Sequence, residues 1–254
     1  MFDNQGNLYG TTGGGGTNQC GTVFKLSPSS GASWTETQLF SFPGSYCYSY
    51  QGSVSAVIFD SHGNLYGSNE FATGDNNWGI VYELSPPSSG TQWNETVLHT
   101  FTGYSDGEYP VGSVVMDSAG VLYGAASQDG TYGQGQIYKL VNSGSTWTKT
   151  AIHNFTGVDG DGANPEAGLL LDSAGNLYGT TLNGGVDECN QCGTVFKLAP
   201  SGDGYRETIL HSFSVGIDGS APYAQLIFDS EGNLYGTTSS GGAGNEGTVF
   251  EIKP

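Results

Sequence analysis

Basic residues are scarce in this chain of 254 residues. Lys and Arg together number 6 against 24 Asp and Glu, which gives a formal net charge of −18 at pH 7. Such a charge repels nucleic acids and anionic membrane surfaces, and it attracts cations. We therefore expect no nucleic-acid partner.

Long apolar runs and helical periodicity are also missing. No segment has the roughly 18 apolar residues that a membrane helix needs, so we expect no membrane insertion. The 43 glycines are spread along the whole chain and disfavour helices. The chain begins at Met1-Phe2-Asp3 without the charged and apolar regions of a secretion signal. We expect a mature or trimmed segment.

What the chain does have is one hairpin phrase, Gly-Asn-Leu-Tyr-Gly in its commonest form, repeated five times. Its tyrosines stand at positions 9, 66, 123, 178 and 235, so the steps are 57, 57, 55 and 57 residues. Such regularity indicates one structural unit repeated in tandem. Another recurring phrase, residues 35–42 and its copies, is short, β-branched and aromatic, as strands are.

Three further phrases accompany the hairpin and complete the unit. In chain order we name the strands A (an apolar run ending in Asp), B (Asn-Leu-Tyr-Gly), C (Gly-Thr-Val-Phe-Lys-Leu) and D (Glu-Thr-x-Leu-His-x-Phe). Four antiparallel strands per repeat predict an all-β, five-bladed β-propeller. Because strand D occurs only four times, we expect the last blade to lack its outer strand.

The repeats predict a single repeat domain over residues 1–254. Its units run approximately over residues 1–53, 54–112, 113–167, 168–224 and 225–254. Repeats that stack on their neighbours share one continuous core, so one closed array is expected rather than separate domains.

These phrases together resemble the Gloeo/Verruco (GloVer) tandem repeat of bacterial choice-of-anchor proteins. The resemblance covers all five units, although the third has Val121 for Asn and Gly124-Ala125-Ala126 for Gly-Thr-Thr. It implies a propeller-like bacterial protein that is secreted or displayed at the cell surface. It implies no established activity.

Most of the recurring polar residues have a structural explanation. An Asp at the end of each strand A precedes a Gly by three residues, which is typical of a hairpin turn, with a ring of functional carboxylates as the alternative. His99, His153 and His211 share a position in strand D with Phe40, which favours packing. No Gly-x-Ser-x-Gly, His-Glu-x-x-His or phosphate-binding loop is present. We therefore expect no enzyme, and a glycosidase is the enzymatic alternative.

Candidate ligands for a metal ion lie in the loops between strand D and the next strand A. Asp159, Asp161 and Glu166 could supply oxygen ligands to Ca²⁺ while neighbouring glycines permit a tight wrap. The competing interpretation is an ordinary set of acidic turns.

Aromatic side chains concentrate in the loops of the first three units. Exposed aromatic rings beside carboxylates suit sugar rings, whose C–H faces stack on them. The alternative is that they cover the blade ends. The predicted polysaccharide site consists of Tyr48, Trp78, Tyr104, Tyr109 and Asp106. Further aromatic residues are predicted on the same face of the propeller: Tyr46, Tyr50, Phe71 and Tyr132.

The four cysteines also lie in predicted loops. They suggest an oxidising compartment, hence an extracellular or surface location. We predict bridges Cys20 to Cys47 and Cys189 to Cys192. Zinc at the latter pair is the alternative, although one Cys-x-x-Cys supplies only half of a tetrahedral site.

Two functions remain open for a non-enzymatic propeller of this kind. The first is a binding or structural module at the bacterial surface, with polysaccharide as the ligand. The second is a building block of an extracellular filament, because a blade without its outer strand leaves an edge that can pair with another copy.

Overall fold

The computed structural model describes residues 1–31, 33–44, 55–71, 78–186, 192–214 and 216–254. Within them the chain is all-β, with one small antiparallel sheet in each of the five repeats and a separate two-stranded ladder, the strand content of a five-bladed β-propeller. The fold class predicted from the repeats is confirmed. In the same residues, no helix is both long and apolar enough to cross a membrane.

Contacts divide the chain into two compact units, residues 1–101 and 102–254. The first unit holds two blades. Blade one has the strands β1 (Leu8–Thr12), β2 (Thr22–Pro28) and β3 (Trp34–Ser41), with an isolated bridge from Phe2 to Leu8. Blade two has β4 (Ile58–Phe59), β5 (Leu65–Asn69), β6 (Ile80–Ser85) and β7 (Asn94–Thr100).

The second unit holds the other three blades. Blade three begins after a 3₁₀ turn (Tyr104–Asp106) and has β8 (Glu108–Met116), β9 (Leu122–Gln128), β10 (Gln136–Asn142) and β11 (Trp147–Asn154). Blade four has β13 (Leu170–Leu171), β14 (Leu177–Thr181), β16 (Thr194–Ser201) and β17 (Gly204–Ser212), beside a short ladder of β12 (Gly162–Ala163) and β15 (Asn183–Gly184). Blade five has only β18 (Ile227–Phe228), β19 (Leu234–Thr237) and β20 (Val249–Ile252).

Strand A is short, although an apolar run of this kind is typical of a buried strand. In blades two, four and five its ladder is only two residue pairs long. The most deeply buried strands are instead those of the B phrase, such as β5 and β14, which are buried at every position. In strand A the buried residue stands just before the ladder: Val57, Leu169 and Leu226 are 3%, 1% and 1% exposed.

A β-bulge recurs where strand D pairs with strand C. In blades one to four the register shifts by one residue at the same place, so that one apolar residue of strand D is left over. These residues are Leu39, Leu98, Ile152 and Leu210. A bulge changes the direction of the side chains beside it. In these blades the residue that follows the bulged residue is the Phe or His of strand D.

Aromatic rings join successive blades inside each unit. The Phe that follows strand D lies edge-on against the aromatic ring of the next strand C, as in Phe155 on Phe196 at 5.2 Å. Phe42 on Tyr82 and Phe213 on Phe250 repeat this contact, both at 5.0 Å. Each such pair adds about 0.5–1.5 kcal/mol beyond the burial of its area.

The last glycine of the hairpin phrase is explained by the ring of strand C. A Cβ added to Gly179 would lie 2.6 Å from Cζ of Phe196, so no larger residue fits under the ring. The Leu-Tyr-Gly phrase and the aromatic residue of strand C are therefore two halves of one packing unit.

Candidate functional site

The aspartates that end strand A accept hydrogen bonds from the hairpin turn with both carboxylate oxygens. One carboxylate oxygen of Asp60 accepts the backbone N–H groups of His62 and Asn64, at 2.7 and 2.9 Å. The other accepts the Asn64 side-chain amide at 2.8 Å and the Tyr66 hydroxyl at 3.2 Å. Burial alone would raise the pKa of Asp60, but these hydrogen bonds lower it overall.

The same arrangement is found in every repeat. The hydroxyl of the hairpin tyrosine donates to the turn aspartate in all five, at 3.0–3.4 Å. In the third repeat Val121 replaces the Asn, so the side-chain amide bond is absent there and the two backbone bonds remain. These aspartates have the structural role that the sequence predicted.

A second set of aspartates closes the loops between strand D and the next strand A in the second unit. One oxygen of Asp161 accepts the backbone N–H and the hydroxyl of Thr156, at 2.7 and 2.8 Å. Asp106 accepts the corresponding pair from Thr102, and Asp218 accepts it from Ser214. The first hydroxyl residue after the Phe of strand D thus fixes each loop.

The remaining oxygen of Asp106 faces strand D of the next blade. In blade three that strand carries Lys149, whose side chain is 6% exposed and whose Nζ lies 3.0 Å from Oδ1 of Asp106. Lys149 also donates to the Asp106 carbonyl at 2.5 Å and to Oε1 of Gln136 at 3.0 Å. Burial lowers the pKa of Lys149, and the Asp106 charge opposes this shift.

In blade four the same strand position carries an acid. Glu207 pairs with Leu198 as Lys149 pairs with Leu140, so the two positions are equivalent. Nε2 of His153 lies 3.4 Å from Oε1 of Glu207 and 3.5 Å from Oδ1 of Asp161. One ligand atom from each of the three residues lies within 4.8 Å of the other two, the one such group among the described residues.

The three side chains are mostly buried, at 19%, 14% and 17% exposed for His153, Asp161 and Glu207. Burial raises the pKa of Glu207 to about 7, with His153 opposing the shift and Asp161 adding to it. Burial would also raise the pKa of Asp161, but His153 and the bonds from Thr156 lower it overall. Two neighbouring carboxyl groups therefore differ in proton affinity.

The residues predicted to bind Ca²⁺ are placed in different environments. Asp159 is exposed and has a positive φ of 56°, whereas Glu166 is partly buried. Burial raises the pKa of Glu166 to about 7. Of the predicted trio, Asp161 is the residue that lies in the group of possible metal ligands, together with His153 and Glu207. Calcium binding by the predicted trio stays a prediction.

The residues predicted to bind polysaccharide fall in three places. Tyr48 lies outside the described residues, and Trp78, which is partly buried, belongs to the first unit. Tyr104, Asp106 and Tyr109 belong to the second unit. Tyr104 is 84% exposed, whereas Tyr109 is partly buried and Asp106 is engaged with Lys149.

Two loops of blade three hold the exposed rings. The backbone N–H of Gly130 donates to the Tyr104 carbonyl at 2.7 Å, and the Tyr104 N–H donates to the Asp129 carboxylate. Tyr132, in the loop of Asp129 and Gly130, is 60% exposed. Tyr104 itself has a positive φ of 53°. These bonds hold the two exposed tyrosines on neighbouring, mutually bonded loops.

Only one cysteine of each predicted disulfide lies among the described residues. Cys20 and Cys192 are 2% and 1% exposed, and no free cysteine occurs among the described residues. The predicted partners Cys47 and Cys189 lie outside those residues, so both pairings stay predictions.

Sequence reasoning assigned the three strand D histidines to packing and passed over His153 as a ligand. Each does pack edge-on against the Phe two residues later, at 4.9, 4.6 and 4.7 Å for His99, His153 and His211. The signal that could have singled out His153 is a coincidence in the sequence: only between the third and fourth repeats are a strand D His, a loop Asp and the next strand D Glu all present.

No curated protein matches this chain significantly. The family model of the Gloeobacter/Verrucomicrobia repeat matches residues 53–254, which covers blades two to five. That span is most of the chain, and it contains four copies of the hairpin phrase with its Asp and Tyr. The chain therefore belongs to the Gloeobacter/Verrucomicrobia repeat family.

Proposed function

We propose that this propeller is a non-enzymatic module outside the bacterial cell, and that it binds polysaccharide at the loops of blade three. The observation that carries the proposal is the pair of exposed tyrosines, Tyr104 and Tyr132, on loops bonded to each other. Rings presented on fixed loops lose little conformational freedom when a sugar stacks on them.

A non-enzymatic role is supported by how the carboxylates are used. Glycosidases need two acids that are free to act on one bond. The turn aspartates of all five repeats already accept hydrogen bonds from their own hairpin, and Asp106 pairs with Lys149. The extracellular location rests on the family, the acidic charge and the absence of free cysteines among the described residues.

The test is affinity electrophoresis on a panel of soluble glucans, xylans and mannans, followed by the variants Tyr104→Ala and Tyr132→Ala. We expect each to weaken binding about threefold to tenfold, the contribution of one stacked ring. Tyr223→Ala is the matched control, because Tyr223 is also exposed, at 49%, but belongs to another loop. Trp78→Ala tests the predicted residue in the first unit.

Unchanged retardation in the Tyr104→Ala, Tyr132→Ala double variant would refute the site. Loss of binding in Trp78→Ala alone would move it to the first unit.

A second candidate function is assembly with other copies of the chain. In blade five, strand β20 pairs with β19 and has no further strand beside it among the described residues. Val249 in β20 is 78% exposed, whereas the equivalent residues Val23, Val81, Ile137 and Val195 are 0% exposed. An apolar strand with an open edge favours pairing between chains, and light scattering on an edge variant tests it.

A further inference from the structure

We propose that His153, Asp161 and Glu207 bind one divalent transition-metal ion, with Zn²⁺ the best fit, and that this ion joins blades three and four. His153 lies near the end of β11 in blade three, and Glu207 lies in β17 of blade four. Asp161 comes from the loop between these blades. The three ligands thus reach the site from three separate segments of the second unit.

The distances fit a shared metal ion better than direct hydrogen bonds. Charge-assisted N–H···O bonds are typically about 2.7–2.9 Å long, whereas Nε2 of His153 is 3.4 and 3.5 Å from the two carboxylates. Two ligands held at about 2.0–2.2 Å from a tetrahedral zinc ion are about 3.3–3.6 Å apart. The two separations from His153 are those of ligands around one ion, and the ligand atoms of Asp161 and Glu207 lie within 4.8 Å of each other.

The ligand atoms are also buried without hydrogen-bond partners. Nε2 of His153 and Oε1 of Glu207 are both inaccessible to solvent, and neither has a hydrogen bond among the described residues. A buried polar atom without a hydrogen bond destabilises the fold. Two such atoms lie 3.4 Å apart beside the Asp161 carboxylate, and one bound cation would give both of them a partner.

Asp161 is already oriented as a ligand. Thr156 holds its Oδ2 from two directions, and the N–H of Gly162 donates to Oδ1 at 2.7 Å. Oδ1 is the oxygen that faces His153. Hydrogen bonds of this kind, made outside the ligand set, fix a carboxylate before the metal arrives.

The preceding blade provides an internal comparison. There the loop aspartate Asp106 meets the ammonium group of Lys149, so the buried carboxylate has a cation. Blade four instead has the Glu that strand D also carries as Glu36 and Glu95 in blades one and two, so no ammonium group meets Asp161 there. A divalent cation between Glu207 and Asp161 restores the balance, because unpaired buried charges are strongly unfavourable.

The ligand set favours a transition metal over calcium. Imidazole nitrogen suits Zn²⁺, Co²⁺ or Ni²⁺, whereas Ca²⁺ takes six to eight oxygen ligands. Three protein ligands leave a fourth position for water, as in open zinc sites. The Ca²⁺ predicted from Asp159, Asp161 and Glu166 would use the same aspartate, so one titration can separate the two ions.

The experiment is calorimetric titration of the metal-free, oxidised full chain with Zn²⁺, Co²⁺ and Ca²⁺. We expect one Zn²⁺ per chain, visible Co²⁺ absorption bands of four or five coordination, and no comparable Ca²⁺ binding. At a Zn²⁺ concentration a hundredfold above Kd, the melting temperature should rise by about 5–10 °C.

The variants come from the chain's own repeats. Glu207→Lys copies blade three and can pair with Asp161, so it should melt near the metal-free parent yet show no Zn²⁺ binding. His153→Phe copies Phe40 and should weaken binding at least tenfold. His211→Phe, at the equivalent position of blade four, is the matched control and should bind Zn²⁺ like the parent.

Three outcomes would overturn the proposal. Absence of Zn²⁺ and Co²⁺ binding in the parent would mean that Glu207 keeps a proton in place of a metal. Binding that survives in Glu207→Lys and His153→Phe would put the ion elsewhere, for instance at the cysteines. Stronger binding of Ca²⁺ than of Zn²⁺ would reject the assigned ion.

Discussion

Replacing the turn aspartate of blade four, Asp172→Ala, should destabilise the second unit by about 3 kcal/mol. The carboxylate accepts four hydrogen bonds: from the N–H groups of Ala174 and Asn176, both at 2.9 Å, from the Asn176 side chain at 2.7 Å and from the Tyr178 hydroxyl at 3.1 Å. Hydrogen bonds to charged groups are worth about 1.5–3 kcal/mol each.

The sum of four such bonds overstates the loss, because water can reach a partly exposed turn and neighbouring bonds are not additive. About 3 kcal/mol corresponds to a fall in melting temperature of about 6–12 °C at 2–4 °C per kcal/mol. The chain contains its own comparator. Asp117 lacks the amide partner because Val121 stands in place of Asn, so Asp117→Ala should cost less, about 2 kcal/mol.

Both variants lie in the second unit, so their melting temperatures, measured by circular dichroism during thermal unfolding, can be compared directly. The difference between parent and Asp172→Ala should also shrink in acid. Burial alone would raise the pKa of Asp172, but its hydrogen bonds lower it below 3.8. Its stabilisation is therefore present above the unfolded pKa and lost as the pH falls through the lower folded value. If both variants melt within 2 °C of the parent, the turn explanation fails and a functional carboxylate ring regains support.

Two further predictions concern a buried acid and an open edge. Glu166→Gln should raise the melting temperature at pH 8 and leave it unchanged at pH 4. Burial raises the pKa of Glu166 to about 7, so its ionised form destabilises the fold at higher pH. An equal gain in melting temperature at pH 4 and pH 8 would contradict this cause. Val249→Lys should convert any assembly seen by light scattering to a 26.4 kDa monomer, whereas Val186→Lys, at a loop valine that is 68% exposed, should not. Assemblies that persist in Val249→Lys would exclude the β20 edge.

Much of the fold could be predicted from the sequence because the same local interactions are repeated five times. The Asp-x-x-Gly turn depends only on residues within six positions of one another, such as Asp60, Asn64 and Tyr66, and its role was predicted correctly. The bulge in strand D was not predicted. It depends on pairing between strands C and D, and the phrase Leu-His-x-Phe reads as regular alternation when taken alone.

The candidate site was harder to predict because its partners come from different repeats. Asp161 was recognised as a possible ligand, but its neighbours were sought within its own loop, at Asp159 and Glu166. The structure places it instead beside a strand residue 46 positions later, Glu207. Contacts between blades join loop residues of one repeat to strand residues of the next, and no local spacing reveals them.

In a repeat protein the architectural residues are those that every unit shares, so a site is best sought where one unit departs from the rest. The sequence shows clearly that the loops differ between repeats, and Tyr104 lies in one of these loops. The difference between Lys149 and Glu207 was equally visible, with Lys149 the exception to the usual Glu, but it lies in a strand, where a charge is usually taken as facing solvent. Its importance follows from burial: Lys149 is 6% exposed and Glu207 is 17% exposed. A buried glutamate beside a loop aspartate, without the lysine of blade three, needs another counter-charge, which is why this junction, and not the more numerous loop acids, points to a bound cation.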